Sequence, residues 1–126
     1  MASDLIVGPK SIQANLAMTS YQFRFVRVVN SSGTGQLALP TNGGLTIGVL
    51  QDKPTAQGEP GQVCRPGDIT KIVLNYGGTA GDWVMSDANG KAVAAVSGAQ
   101  VQGQLLDSGS AGDIVRMVYQ PLGIYP

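Results

Sequence analysis

Residues 78–93 read GTAGDWVMSDANGKAV and place two turn signals around one short apolar run. Gly81-Asp82 precedes the run at 83–86, and Asp87-Ala88-Asn89-Gly90 follows it. Asn-Gly favours positive φ at both central positions of a tight hairpin, so this turn should join 83–86 to the segment that starts at Lys91. The stretch predicts a protein built from short strands and tight turns.

The Gly-Asp pair recurs in RPGDITKI at 65–72 and SAGDIVRM at 110–117. Glycine adopts backbone conformations that other residues avoid, and Asp hydrogen-bonds its own neighbouring backbone, so the pair marks the turn before a strand. The copies are unequally spaced, which excludes a solenoid. We predict that five residues are structural turn residues: Asp68, Asp82, Asn89, Gly90 and Asp113.

An alternative interpretation is that the carboxylates in these turns are metal ligands or catalytic acids, because hard cations bind several carboxylate oxygens. The four residues are Asp68, Asp82, Asp87 and Asp113. The sequence around Asp87 does not match the EF-hand pattern, since Glu59, the only Glu, lies upstream. We therefore predict no metal, no cofactor and no catalytic residue. A hydrolase that relies on Asp side chains stays open as an alternative, with turnover of an ester or glycoside as its test.

Two glycine motifs resemble nucleotide-binding signatures without their structural context. Gly33-x-Gly35-x-x-Ala38 follows an apolar run, but Pro40 and a glycine pair come soon after it, so no helix can start there to hold a pyrophosphate. We interpret 32–38 as a hairpin loop. Asn89-Gly90-Lys91 lacks the other residues of a P-loop, because Met85 and Ala92 occupy their positions.

The composition excludes several classes of function. Eight basic and eight acidic residues cancel, and charged residues are only 13% of the 126. This low density disfavours nucleic acid, because phosphate binding needs clustered Lys and Arg. The chain contains no histidine, which removes His triads and His metal sites. The single cysteine, Cys64, should be a small buried residue. A weakly charged surface suits a protein packed against other proteins.

The rest of the chain predicts an all-β domain. The 18 glycines and seven prolines separate short apolar runs. Predicted strands lie at 21–30, 45–51, 69–76, 83–86, 101–106 and 113–120, with a bulge or burial on both faces within the first. Segments 11–18 and 91–100 have weak helical spacing without caps, and we expect no helix in either. We divide the chain into an extended N-terminal arm (1–20), a β domain (21–120) and a C-terminal tail (121–126).

The first residues show no basic region followed by an apolar stretch, so we expect no signal peptide. No apolar run approaches membrane-spanning length, and we expect no membrane partner. We expect a soluble protein that is made and used without export.

The order of these segments resembles the head decoration, or capsid cement, proteins of tailed bacteriophages. The resemblance covers roughly residues 20–120. It runs through FRFVRVV, IGVLQDKPTAQGEPGQVCRPGDITKIV, GGTAGDWVMSDANGKAVAA and VQGQLLDSGSAGDIVRMVYQP. Each motif is weak alone, and their order is the specific feature. They mark a fold and carry no catalytic residue onto this chain.

The resemblance implies a small β-barrel or β-sandwich of the β-tulip type, and a structural protein of the virion. It implies homotrimers on the outer surface of the capsid, at three-fold and quasi-three-fold sites of the major capsid protein, where they stabilise the expanded head. The apolar arm and tail are the candidate capsid or inter-subunit contacts, and Trp83 either packs at the core rim or anchors an interface. The predicted contact residues are Ser3, Asp4, Leu5, Ile6, Val7, Gly8, Pro9, Lys10, Ser11, Ile12, Trp83, Leu122, Ile124 and Tyr125. An alternative function is a sugar- or cell-surface-binding β module on a virion, which would use Trp83 and nearby loops.

Overall fold

The computed structural model describes residues 10–126, with the side chains of Lys10 and Ser11 excepted, and these residues form ten strands and no helix. Most strands are short, because a turn residue follows each apolar run within a few positions. The strands are β1 (Lys10–Gln13), β2 (Phe25–Ser31), β3 (Thr34–Ala38), β4 (Gly48–Val49), β5 (Pro60–Val63), β6 (Ile69–Val73), β7 (Trp83–Ser86), β8 (Ala92–Ala94), β9 (Gln100–Leu105) and β10 (Ile114–Ile124).

The strands form three antiparallel sheets. One has five strands in the order β6-β10-β9-β7-β8, one has three in the order β3-β2-β4, and β1 pairs with β5. The sheets pack against each other like a sandwich and do not close into a barrel. The predicted all-β class is confirmed, and between barrel and sandwich the structure is the sandwich-like form.

Two apolar clusters form the core. The larger lies between the five-stranded sheet and strands β2 and β4. Its members are Phe25, Val49, Cys64, Ile72, Leu74, Val84, Ala92, Leu105, Val115, Met117 and Tyr119. The smaller joins the other two sheets through Ala14, Met18, Val26, Leu37, Leu50 and Val63. Burial in the larger cluster raises the pKa of the Cys64 thiol to about 11, and the prediction that Cys64 is buried is confirmed.

The Gly-Asp turns share one geometry. In each, the Asp carboxylate accepts a hydrogen bond from the backbone N–H three residues earlier, and the Asp N–H donates to that residue's carbonyl. The preceding glycine has a φ of +92°, +94° or +91°, which only glycine adopts without strain. The pairs are Arg65 with Asp68 (2.8 Å), Thr79 with Asp82 (3.0 Å) and Ser110 with Asp113 (2.8 Å).

Two of these turns belong to a longer internal repeat that the sequence shows only weakly. Asp82 and Asp113 are 31 positions apart. The same offset takes Val73 to Gln104 and Trp83 to Ile114. Val73 pairs with Ile114, and Gln104 pairs with Trp83 in the same way. The two copies, 65–84 and 96–115, meet where Gly78 and Gly109 exchange backbone hydrogen bonds of 2.9 and 3.0 Å. RPGD at 65–68 therefore begins the first copy, and VSGA at 96–99 is its counterpart.

The predicted arm at 1–20 is wrong for its described part. Strand β1 pairs with β5, from Lys10↔Val63 to Gln13↔Pro60. Ala14 and Met18 are fully buried in the smaller cluster. Within 10–20 there is no alternation, because only Lys10–Gln13 is strand and the residues after it enter the core through bends and turns. Residues 1–9 lie outside the described part of the chain.

The predicted tail at 121–126 is also wrong in its boundary. Strand β10 continues to Ile124, where Gly123 pairs with Val101 and Ile124 with Gln100. A register shift between Tyr119 and Gly123 lets the strand pass Pro121, which has no N–H to donate. Pro121 and Gly123 hide this continuation in the sequence.

Other boundaries differ for local reasons. The strand predicted at 21–30 begins at Phe25, because Phe23 has a φ of 63° and turns the chain before it. Of the strand predicted at 45–51, only Gly48–Val49 forms. Within the predicted loop at 32–38, Ser32 and Gly33 make the hairpin turn, with φ of 51° and 88°, and Thr34–Ala38 is strand. The predicted Asn-Gly hairpin joins β7 to β8, but Gly90 alone has positive φ.

Candidate functional site

An apolar cleft of about 380 Å³ lies where β7, β9 and the end of β10 meet. We call it the β10 cleft. Its lining consists of Trp83, Val101, Leu122, Gly123, Ile124, Tyr125 and Pro126. Four of the residues predicted as contacts thus come together from two distant parts of the chain: Trp83, Leu122, Ile124 and Tyr125.

The position of Trp83 follows from the turn before it. The Gly-Asp turn ends at Asp82, and Trp83 opens β7 opposite Gln104 of β9. Its carbonyl accepts a hydrogen bond of 3.0 Å from Ala95 N–H, which ties it to the segment after β8. The indole is half-buried, so one part packs on the sheet and the other lines the cleft.

The end of β10 is held by backbone hydrogen bonds on the side of β9. Tyr125 N–H donates to the Ala99 carbonyl (2.8 Å), and Gly98 N–H donates to the Tyr125 carbonyl (3.0 Å). Leu122 and Ile124 nevertheless remain 54% and 66% exposed. Large apolar side chains held in place and open to solvent are typical of a surface that binds another molecule.

The lining of the β10 cleft has the chemistry of a contact surface. None of its lining residues is Asp, Glu, Lys or Arg. Binding would come from burial of apolar surface, which contributes roughly 25 cal/mol per Å². Of its aromatic residues, Trp83 opens β7 and Tyr125 follows the end of β10. Because they are so far apart in the sequence, local patterns could not show that a second aromatic accompanies Trp83.

A buried polar cluster fixes the sheet beside the cleft. Gln102 is fully buried, and its Oε1 accepts hydrogen bonds from Thr46 N–H (3.2 Å) and Thr46 Oγ1 (2.6 Å). The Tyr119 hydroxyl donates to the Thr46 carbonyl at 3.1 Å, and burial raises the pKa of Tyr119 to about 12. The cluster anchors the 45–47 loop to β9 and β10 through Thr46.

Two further exposed surfaces were not predicted from the sequence. A second cleft, of about 330 Å³, is lined by Arg27, Val28, Thr41, Leu45, Thr46 and Ile47. On the outer side of the five-stranded sheet, Ile114 of β10 is 53% exposed and pairs with Val73 of β6. The alternation within β6 and β10 was the available signal, since one face of a surface sheet must point to solvent.

The acidic residues are dispersed among separate turns. Asp82 Oδ2 accepts hydrogen bonds from Thr79 N–H and from the Tyr76 hydroxyl (2.8 Å), and partial burial together with this carboxylate raises the pKa of Tyr76. Asp87 accepts from the backbone N–H groups of Asn89 and Lys91. Across residues 10–126, no three Cys, Asp or Glu side chains gather as potential metal ligands.

The predicted arm contacts fall in two groups. Ser3 through Pro9 lie outside the described residues. Lys10, Ser11 and Ile12 belong to β1 and pair with β5 of the same chain. Within the described range, no helix is long and apolar enough to cross a membrane.

The sequence matches no protein family and no curated protein. A solved structure does share the fold: the N base of the head fibre protein gp8.5 of bacteriophage phi29. The two structures superpose with a TM-score of 0.74 and 14% sequence identity, over 94% of this chain and 98% of the other. At this identity the similarity establishes the shared fold.

Proposed function

We propose that this protein is a structural component of a bacteriophage head. The observation that carries the proposal is the fold similarity to the phi29 head fibre base, which spans nearly the whole of both chains. The ordered motifs that resemble capsid decoration proteins point independently to the same part of a virion. The exposed apolar β10 cleft, which lacks charged side chains, supplies a surface for protein contact.

In its finer form, the proposal is a decoration protein on the outer surface of the capsid. Homotrimers at three-fold and quasi-three-fold positions would contact the major capsid protein. A protein that binds only the expanded shell stabilises that state by mass action, without chemistry. Each contact can be modest, because several contacts to one lattice act together.

Co-sedimentation with undecorated, expanded heads of the source phage tests this function. The proposal expects saturable binding that approaches one copy per major capsid subunit. An Ile124→Asp variant tests the β10 cleft, and Leu45→Asp is a matched control because both residues are 66% exposed. Absence of binding by folded wild-type protein to intact heads would reject the decoration role.

A second candidate function, glycan binding on a virion surface, is favoured by one observation. Trp83 and Tyr125 line the same cleft, and aromatic faces are suited to stacking on sugars. Binding of defined glycans by the isolated protein, with a change in Trp83 fluorescence that Tyr125→Ala abolishes, would support it. A glycan array without a specific signal would remove it.

A further inference from the structure

The outer face of the five-stranded sheet presents apolar side chains to solvent. Residues alternate along β6 and β10, and those that face the core, such as Ile72 and Met117, are fully buried. The residues between them point outward, and Ile69 and Ile114 are 65% and 53% exposed. We call this surface the outer β6–β10 face, and its members are Ile69, Lys71, Val73, Ile114, Arg116 and Val118.

Two cations lie side by side at the centre of this face. Arg116 of β10 is directly opposite Lys71 of β6. The apolar pairs on either side of them are Val118↔Ile69 and Ile114↔Val73. Like charges that are directly opposite destabilise a sheet. A local rule of stability that is broken at one exposed place marks a candidate functional site.

One of the two cations has a carboxylate partner and the other does not. Arg116 Nε and Nη2 each donate a hydrogen bond of 2.9 Å to the carboxylate of Asp107. Lys71 Nζ lies 5.8 Å from the centre of the Phe23 ring, and within residues 10–126 it forms no ion pair. The face therefore carries a net positive charge among apolar side chains. Charge complementarity favours a partner with a carboxylate among apolar side chains.

The face is small for an interface between two proteins. It continues across the sheet from Val118 to Gln104 and from Gln104 to Trp83, since directly opposite residues share a face. Strand spacings make it about 14 Å across and about 14 Å along β6. This footprint of roughly 200 Å² is well below the roughly 800 Å² that each partner contributes to a typical stable interface. Such a contact suits a lattice, where several contacts act together.

The charges disfavour a second copy of this chain as the partner. In a contact around a two-fold axis the face would meet itself, and Lys71 of one copy would approach Lys71 of the other. A head-to-tail contact would need a carboxylate beside apolar surface elsewhere on the chain. The lining of the β10 cleft has no charged side chain, and that of the second cleft contains Arg27. Neither cleft is complementary to the face.

We propose that the outer β6–β10 face binds the major capsid protein where that protein presents a carboxylate among apolar side chains. Lys71 pairs with the carboxylate, and Ile69 and Ile114 lose their exposure to water. The inference rests on the proposed role in a phage head, and it assigns that role to a surface.

A charge reversal at Lys71 tests the contact by co-sedimentation with undecorated, expanded heads. Lys71→Glu should raise the concentration for half-saturation by roughly tenfold or more, the effect of losing a hydrogen bond between charged groups. Lys53→Glu makes the same change at an exposed lysine outside the sheets and should leave binding unchanged. Lys71→Glu should not lower the urea midpoint, because the new carboxylate would lie opposite Arg116. A loss of binding would then not reflect unfolding.

Two further measurements test the apolar part of the face and the choice of partner. Ile69→Ser should weaken binding to heads, and Leu45→Ser should not, although the two residues are 65% and 66% exposed. Light scattering after size-exclusion chromatography should give the same mass for wild type and for Lys71→Glu.

The outcomes separate this contact from the head role itself. Wild type that binds heads no better than Lys71→Glu, or equal losses from Ile69→Ser and Leu45→Ser, would overturn the contact and leave the head role standing. Folded wild type that does not bind intact heads would reject both. A changed mass of Lys71→Glu would assign the face to a second copy and overturn the capsid contact.

Discussion

The two copies of the internal repeat share a backbone and differ in the surfaces they present. In the first, Asp82 accepts hydrogen bonds from Thr79 N–H and the Tyr76 hydroxyl, and Trp83 follows at the rim of the β10 cleft. In the second, Asp113 accepts from Ser110 N–H, and Ile114 follows on the outer sheet face. The Gly-Asp turn thus determines the backbone geometry, and the residue after the turn determines which side chain is presented at the surface.

The repeat also differs at its centre, where we expect the largest effect of a substitution. Ile72 in the first copy corresponds to Gly103 in the second. A Cβ at Gly103 would lie 2.6 Å from the Val118 carbonyl oxygen, which belongs to the backbone and cannot move aside. Gly103→Ala should lower the free energy of unfolding by about 2–3 kcal/mol through overpacking, measured by urea denaturation.

Gly112→Ala is the control for that substitution. A Cβ at Gly112 would have nothing within 4 Å, so its cost comes only from a φ of +91°. It should destabilise by about 1–2 kcal/mol. Equal losses at Gly103 and Gly112 would contradict the steric explanation.

The two turn carboxylates should differ in their contribution to stability. Asp82→Ala removes hydrogen bonds to Thr79 and Tyr76, whereas Asp113→Ala removes the bond to Ser110. We expect Asp82→Ala to cost about 1 kcal/mol more than Asp113→Ala, the typical value of one hydrogen bond. Tyr76→Phe should reproduce most of that difference.

The structural role of these carboxylates has a separate test. The double variant Asp82→Asn, Asp113→Asn should weaken folding slightly and bind heads nearly as well as wild type. Calorimetric titration with calcium should show no tight binding to wild type. Tight binding that the double variant loses would make the two residues metal ligands.

Alkaline pH should destabilise the larger core cluster. Burial raises the pKa of Cys64 from 9.0 to about 11 and that of Tyr119 from 10.0 to about 12. Both groups hold their protons more tightly when folded, so their contribution is complete below about pH 9 and falls as the pH rises toward 12. Tyr119→Phe should flatten the upper part of this decline in urea midpoints measured against pH. An unchanged slope would contradict this assignment.

The smallest effect on stability should come from breaking the contact of Asp107, which corresponds to Tyr76 in the second copy of the repeat. Asp107 takes that place in the second copy and forms two hydrogen bonds of 2.9 Å with Arg116. Both side chains are exposed, and solvent screens such pairs. Arg116→Gln should leave the urea midpoint unchanged within error, in contrast to Tyr76→Phe.

The sequence alone determined the local structure and part of the candidate site. Gly-Asp and Asn-Gly specify turns through backbone preferences that act within four residues, so the strands beside them could be predicted. The arm and tail were predicted as contact segments because they are apolar and lie outside the alternating pattern. Trp83 was predicted as a contact because it is the single tryptophan. Four of those residues line the β10 cleft.

Only the tertiary structure decided how distant segments combine. Strands β1 and β5 have weak patterns of their own and form because they pair with each other from distant parts of the chain. The same holds for the end of β10, where Pro121 and Gly123 conceal a strand that pairs with β9. The β10 cleft arises from this pairing, since it brings Ile124 and Tyr125 beside a tryptophan some forty positions earlier in the sequence. Local turn chemistry carries no information about such long-range pairing, which depends on burial of the whole core.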